Sequence, residues 1–260
     1  MEQRDLERLT AWFTDYCRSF TADAGADPRP YAVKEEHTGN VCGNILQIAG
    51  SLSLDNARTA IAEIVALFHD VGRFPQYQRY GTFRDGISVN HAALGAKVLL
   101  EERVLAGLPD REQRVITDAI TLHNVLTLPD GLDDEVLLYT KLIRDADKLD
   151  IWRVFVEYYR TPLSGRSGVI VLDLPETPGY NPALLDCLVR GEIASHKMVK
   201  SQNDFTLLRL SWVYDLNFPG SFRILSERES IGALVETLQE DDKILAAVDH
   251  VQEFVERKRG

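Results

Sequence analysis

The sequence predicts an all-α protein, a helical bundle with one short irregular or β insertion near residues 161–182. Apolar residues recur at i, i+3, i+4 and i+7 through most of the chain, the signature of amphipathic helices. One long stretch breaks that rhythm, with Gly165, Gly168, Pro175, Pro178, Gly179 and Pro182 around the β-branched run Val169-Ile170-Val171. Over 260 residues, 45% hydrophobic and 27% charged side chains supply a full core and a solvated surface.

The elements follow in order. An amphipathic helix is expected over 5–20, ending before Gly25 and the Pro28/Pro30 pair. The next covers about 31–50, with His37, Val41, Ile45 and Ile48 on one face. A third covers 55–70, carries Ile61, Ile64, Val65 and Phe68 at helical spacing, and stops at Gly72 and Pro75. Residues 71–90 hold Gly72, Pro75, Gly81 and Gly86 and read as a loop. Helices resume near 89–106 and 110–124, the latter opened by Asp110 and Gln113 as the N-cap and N3 partners of a capping box. A long helix over 133–159 leads to the 161–182 excursion, a candidate lid with one short strand or hairpin. Helices return over 182–200, 205–216, 230–240 and 241–258. No repeat or low-complexity tract interrupts the chain, and one domain is expected: a core at about 31–160 with the helices of 182–258 packed on it.

Charge and composition exclude several function classes. Lys+Arg 29 against Asp+Glu 40 gives a net charge of −11, the wrong sign for a surface that coats a nucleic-acid polymer. A local basic pocket for one small phosphorylated ligand is still compatible with it. No apolar run approaches the ~20 residues of a membrane helix, and the charged opening MEQRDLERLTAWF is no signal peptide. Cys17, Cys42 and Cys187 are scattered and form no CxxC pair, so neither a disulfide framework nor a thiolate zinc site is indicated. A cytoplasmic setting, without a membrane partner, is the expectation.

The chemistry begins at His69-Asp70, where the apolar run Ala66-Leu67-Phe68 enters a polar pair and bends at Gly72. The other imidazoles share one property. His37 precedes Val41 and Ile45, His91 precedes Leu94, Gly95 and Val98, and His123 follows Ile116, Ala119 and Ile120, all at helical spacing. Asp147 stands likewise behind Val136, Tyr139, Thr140 and Ile143. One inward histidine is ordinarily a hydrogen-bonded core residue. Five inward sites on separate helices are not, because burying His69, Asp70 and Asp147 without partners costs several kcal/mol each. A shared cation satisfies them together. Imidazole and carboxylate without thiolate suit Mn, Fe, Co, Ni, Mg or Zn. Two divalent ions bridged by Asp70 would use all six ligands.

This ordered set, His37, then His69-Asp70 in LFHDVGR, His91, His123, and Asp147 in RDADKLD, resembles the HD-domain superfamily of metal-dependent phosphohydrolases over about residues 31–160. The resemblance implies an α-helical fold and a first ion on His37, His69, Asp70 and Asp147, with His91 and His123 matching the ligands of a second. Arg73 lies on the loop where related proteins place a phosphate-contacting cation, Lys148 follows Asp147, and Asn90 precedes His91. These are the substrate-binding candidates, with Asp70, Arg73 and Lys148 as the catalytic ones; Arg79 and Arg84 occupy the same loop. The implied activity is hydrolysis of a small phosphoester, such as a nucleotide, by a metal-activated water. The same ligands suit a di-iron oxygenase resembling inositol oxygenase, and a non-catalytic ligand-sensing module is the third reading. His196 and His250 match no motif position, His250 is expected in solvent, and no second site is expected in 201–223.

Overall fold

Apolar periodicity becomes twelve α-helices in the computed structural model, which describes residues 3–22, 27–162, 164, 168, 170–239 and 241–260. No strand occurs among them. They fall into two units, Met1–Asp150 and Ile151–Gly260.

The first unit contains α1 (Gln3–Thr21), α2 (Arg29–Ser51), α3 (Asn56–Phe68), α4 (Arg73–Tyr80), α5 (His91–Glu101) and α6 (Asp110–Leu122), and the start of α7 (Asp134–Arg160). Helix α3 packs against α1, α2 and α6. It is apolar nearly all round, burying Ile61, Ile64, Val65, Ala66, Leu67 and Phe68, as a central helix must. Facing it are Val41, Ile45 and Ile48 of α2 and Ile116, Ala119 and Ile120 of α6. Phe13 of α1 meets Phe68 and Phe74 edge-on, with ring centroids 6.3 and 6.2 Å apart. Asn44 of α2 donates from Nδ2 to the Ala146 carbonyl of α7 at 3.0 Å.

A close backbone approach fixes the turn after α3. A Cβ at Gly72 would stand 2.2 Å from the His91 carbonyl oxygen and 2.5 Å from the Gly95 nitrogen. Only glycine allows the His69-Asp70 turn to rest on the first turn of α5, which begins at His91.

The second unit holds α8 (Pro182–Arg190), α9 (Gln202–Ser211), α10 (Pro219–Glu227), α11 (Ser230–Val235) and α12 (Asp242–Lys258). Its core includes Leu184, Leu188, Leu207, Leu208, Phe222, Leu234 and Val251. Asp204 is buried and accepts the Asn181 and Lys200 amides at 2.6 and 2.9 Å, tying two segments to α9.

Several expectations are corrected. Residues 71–90 contain α4 and a 3-10 turn at Asp85–Ile87. Pro75 lies in the first turn of α4 instead of preventing it, because a first-turn residue has no intrahelical N–H bond to lose. The Asp110–Gln113 capping box does not form: α6 begins after Pro109 without a side-chain cap, and Gln113 Nε2 donates to the Leu108 carbonyl at 2.8 Å. The helix expected over 182–200 ends at Arg190, where Gly191 adopts φ +70 and terminates it. That expected over 205–216 starts at Gln202 and passes into a 3-10 turn at Trp212–Asp215, and α10 was not anticipated. The insertion shows turns, with no strand among its described residues; Val169, Gly165 and the break at Gly25 lie outside them. His250 is exposed as expected, and His196 sets its ring 6.1 Å from that of Phe205.

Candidate metal centre

Five helices deliver six potential ligands to one place. His37 lies inside α2, His69 and Asp70 in the turn ending α3, His91 at the first residue of α5, His123 just past α6, and Asp147 within α7. They form two donor groups with Asp70 common to both: His37, His69 and Asp70, and Asp70, His91 and His123. Asp70 Oδ2 lies 3.8 Å from His37 Nε2 and 3.7 Å from His69 Nε2. Its Oδ1 lies 3.3 Å from His91 Nε2. Asp147 Oδ1 joins the first group, 3.1 Å from His37 Nε2 and 3.7 Å from His69 Nε2. Apart from Asp147, whose side chain is 19% exposed, every one of these side chains is buried.

What fixes each ring is its other nitrogen. His69 Nδ1 reaches the Ala66 carbonyl and His123 Nδ1 the Ile120 carbonyl, both at 2.7 Å and three residues back in their own helices. His37 Nδ1 reaches Asp150 Oδ2 at 2.6 Å, and His91 Nδ1 reaches Asp85 Oδ2 at 2.7 Å. Carbonyls and carboxylates only accept, so all four Nδ1 atoms carry the proton and all four Nε2 atoms point inward. Anchoring of this kind orients a metal-binding imidazole and sets its tautomer.

Electrostatics sharpen the point. Burial, with the Arg73 charge nearby, holds His91 down to about 4; burial also holds His123 down to about 4 and lowers His69. Neutral rings with protonated Nδ1 carry lone pairs on Nε2. Yet His91 Nε2 and His123 Nε2 are 3.1 Å apart, with Asp70 Oδ1 beside them. The two imidazole acceptors meet with no donor between them, an arrangement that a cation resolves. His37 differs: burial opposes its charge, but hydrogen bonds to Asp147 and Asp150 outweigh that and raise it to about 8. Burial pushes the Asp70 carboxyl up, but Lys34, His69, Arg73 and His91 hold it well below the usual carboxylate range.

Three participants were missed by sequence reasoning. Asp150 had a signal, one helical turn beyond Asp147 in RDADKLD. Lys34 had a fainter one, one turn before His37; its Nζ is 2.7 Å from Asp70 Oδ2. Asp85 had none, because a loop position reveals nothing of its distant partner. Its carboxylate also accepts from Arg73, Gln76 and Asn124.

The candidates for substrate binding are placed differently from one another. Arg73 is partly buried and already engaged: Nε lies 3.4 Å from Asp70 Oδ1, and its terminal nitrogen donates to Asp85 and Gln76 at 2.9 and 3.0 Å and to the Phe83 carbonyl. Lys148 is half-buried, with Nζ 3.3 Å from the Arg144 carbonyl. Asn90 is exposed and caps α5, its side chain accepting the Ala93 amide at 2.9 Å. Arg79 and Arg84 are exposed, and among the described residues no hydrogen bond or ion pair joins either side chain to the six ligand candidates.

Residues 35–152 match a family model described as HD domain, a span that contains all six ligand candidates. Neither the curated proteins nor the solved structures gave a match. No described helix is long and apolar enough to cross a membrane.

Proposed function

We propose, from the match of residues 35–152 to the HD-domain family model and the ligand cluster within it, that the protein is a metal-dependent phosphohydrolase acting on a small phosphorylated substrate. The class is a nucleotide or another phosphomonoester or diester, and the reaction is attack by an activated water. One observation carries the reading: Asp70 turns one oxygen to the His37–His69 pair and the other to the His91–His123 pair.

In this reading His37, His69, Asp70 and Asp147 would hold one divalent ion, and Asp70, His91 and His123 would hold a second. Imidazole and carboxylate donors suit Mn, Fe, Co, Ni, Mg or Zn. Bound there, such ions supply Lewis acidity toward phosphoryl oxygens and a water acidic enough to ionise near neutral pH. The remaining work belongs to the chain. Asp150 and Asp85 keep the imidazoles of His37 and His91 in one tautomer and one orientation. Lys34 and Arg73 set two positive charges against Asp70, where they offset charge developing on a phosphoryl group. Because Arg73 also grips Asp85, it positions the site as well as contacting substrate. Lys148 is a third cation, adjacent in sequence to Asp147, and Asn90 stands next to His91.

The test is metal analysis of the purified protein with a panel of phosphoesters. Phosphate release by the metal-loaded protein, lost in Asp70→Ala, is expected. Oxygen consumption with a polyol or phosphonate under ferrous conditions, without phosphoester turnover, would install the oxygenase reading instead. Binding of a phosphorylated ligand with neither activity would make the domain a sensing module.

A further inference from the structure

In the second unit, α9 carries a charged side chain for which the candidate metal centre has no use. Arg209 is 2% exposed. Its guanidinium carbon lies 3.1 Å from the centroid of the Phe155 ring and 3.3 Å from that of Phe205, with Trp212 at 5.7 Å. Trp152 Nε1 donates to the Arg209 carbonyl at 3.2 Å, which fixes the backbone beneath it. Of the five N–H donors of the fork, one is used in a hydrogen bond, to the Phe205 carbonyl at 3.1 Å. Nε is buried and has no partner.

No carboxylate pairs with Arg209 among the described residues, although the chain carries 40 Asp and Glu. The nearest candidate in sequence, buried Asp204 on the same helix, spends both oxygens on the Asn181 and Lys200 amides. Stacked rings attract the cation but accept no in-plane hydrogen bond, so they leave the donors unmet. Burial works against the charge, and Tyr159 works for it. The Phe155 and Phe205 rings stand nearly perpendicular, at 82° with centroids 5.6 Å apart, so they form a corner around the guanidinium, and the unmet capacity includes the edge that carries Nε. A planar fork held rigid in this way matches two oxygens of one oxyanion.

We propose that Arg209, set in the corner made by Phe155 and Phe205, anchors an oxyanion-binding site in the second unit, taking the carboxylate or phosphate group of a small ligand along its Nε edge. The site is separate in sequence from the six metal-ligand candidates and does not depend on the reading given for them.

Titration of the metal-loaded 260-residue chain with inorganic phosphate and with succinate tests this. Tryptophan emission, in a Trp12→Phe background, then comes from Trp152 and Trp212 alone. A saturable emission change is expected for at least one anion, and which one responds identifies the phosphate or the carboxylate source. Arg209→Lys keeps a charge but loses the fork, and should weaken that binding at least about tenfold. Arg209→Met should abolish it; should that variant fail to fold, the Lys variant decides. Anions held at the metal centre would bind all three proteins alike, so unchanged affinity in both variants overturns the proposal. Absence of any saturable response in the parent protein overturns it equally and leaves Arg209 a structural clasp.

Discussion

Substituting Gly72 by alanine tests how the fold builds the site. The new methyl would stand 2.2 Å from the His91 carbonyl oxygen and 2.5 Å from the Gly95 nitrogen, both backbone atoms. Ordinary contact begins near 3.4 Å, so the turn after α3 and the start of α5 must separate by about 1 Å. Forcing one extra carbon into a packed contact costs ~1–3 kcal/mol, and here the rigid partner places the variant at the upper end. The separation also carries His91 away from Asp70, from which it now lies 3.3 Å. A displacement of about 1 Å far exceeds the ~0.2 Å tolerance of metal–ligand distances. Urea unfolding of the metal-free chain should therefore show a loss of about 2–3 kcal/mol, and metal analysis should show loss of the equivalent assigned to His91 and His123. Gly43→Ala is the internal control: its Cβ meets nothing within 4 Å on an exposed face of α2, so it should stabilise by about 0.5–1 kcal/mol. Gly72→Ala with stability within about 0.5 kcal/mol of the parent and unchanged metal content would refute the reasoning.

Four further outcomes are expected. Asp70→Ala should release both metal equivalents and lower the melting temperature, whereas joint replacement of His91 and His123 by alanine should release about one; mass spectrometry of the purified variants reads both. Asp85→Asn and Asp150→Asn should each weaken one equivalent by about 10–100-fold, the usual effect of losing the group that orients a ligating imidazole; competition with a calibrated chelator measures it, and parent-like affinity would remove these carboxylates from the centre. Arg73→Ala should lower kcat/KM on phosphoesters by about tenfold to a thousandfold, ~1.4–4 kcal/mol, and, because Asp85 loses a partner, should also weaken the His91–His123 equivalent. Lys34→Met should reduce turnover with metal content intact; an unchanged rate would make it a counter-charge only.

The six ligand candidates stood out in the sequence because His37, His91, His123 and Asp147 each set a polar type at helical spacing from apolar residues, and His69-Asp70 closes an apolar run. What orients them was mostly hidden. The Ala66 and Ile120 carbonyls carry no side-chain identity, so no sequence pattern marks them. Asp85 lies in a segment whose approach to His91 depends on the Gly72–Gly95 contact, a tertiary fact. Helix α4 was missed because Pro75 reads as a breaker unless its first-turn position is known. Arg73 was read only as a phosphate-contacting cation, since its bond to Asp85 depends on how the 71–90 segment, read as a loop, folds back. Arg209 gave no signal at all: a lone arginine among leucines looks like a solvated charge until its neighbours turn out to be phenyl rings.

Two of the imidazoles have a second duty. His69 and His123 occupy the positions that end α3 and α6, and their Nδ1 protons take up carbonyls of the last helical turn. Those ends carry the negative pole of each helix, equivalent to roughly half an electron charge, so two backbone dipoles add to the carboxylates in favouring a cation. Helix termination and ligand orientation are thus one hydrogen bond, made twice. Removing metal should therefore be felt first as fraying: amide exchange should accelerate in the final turns of α3 and α6 before the middle of either helix opens.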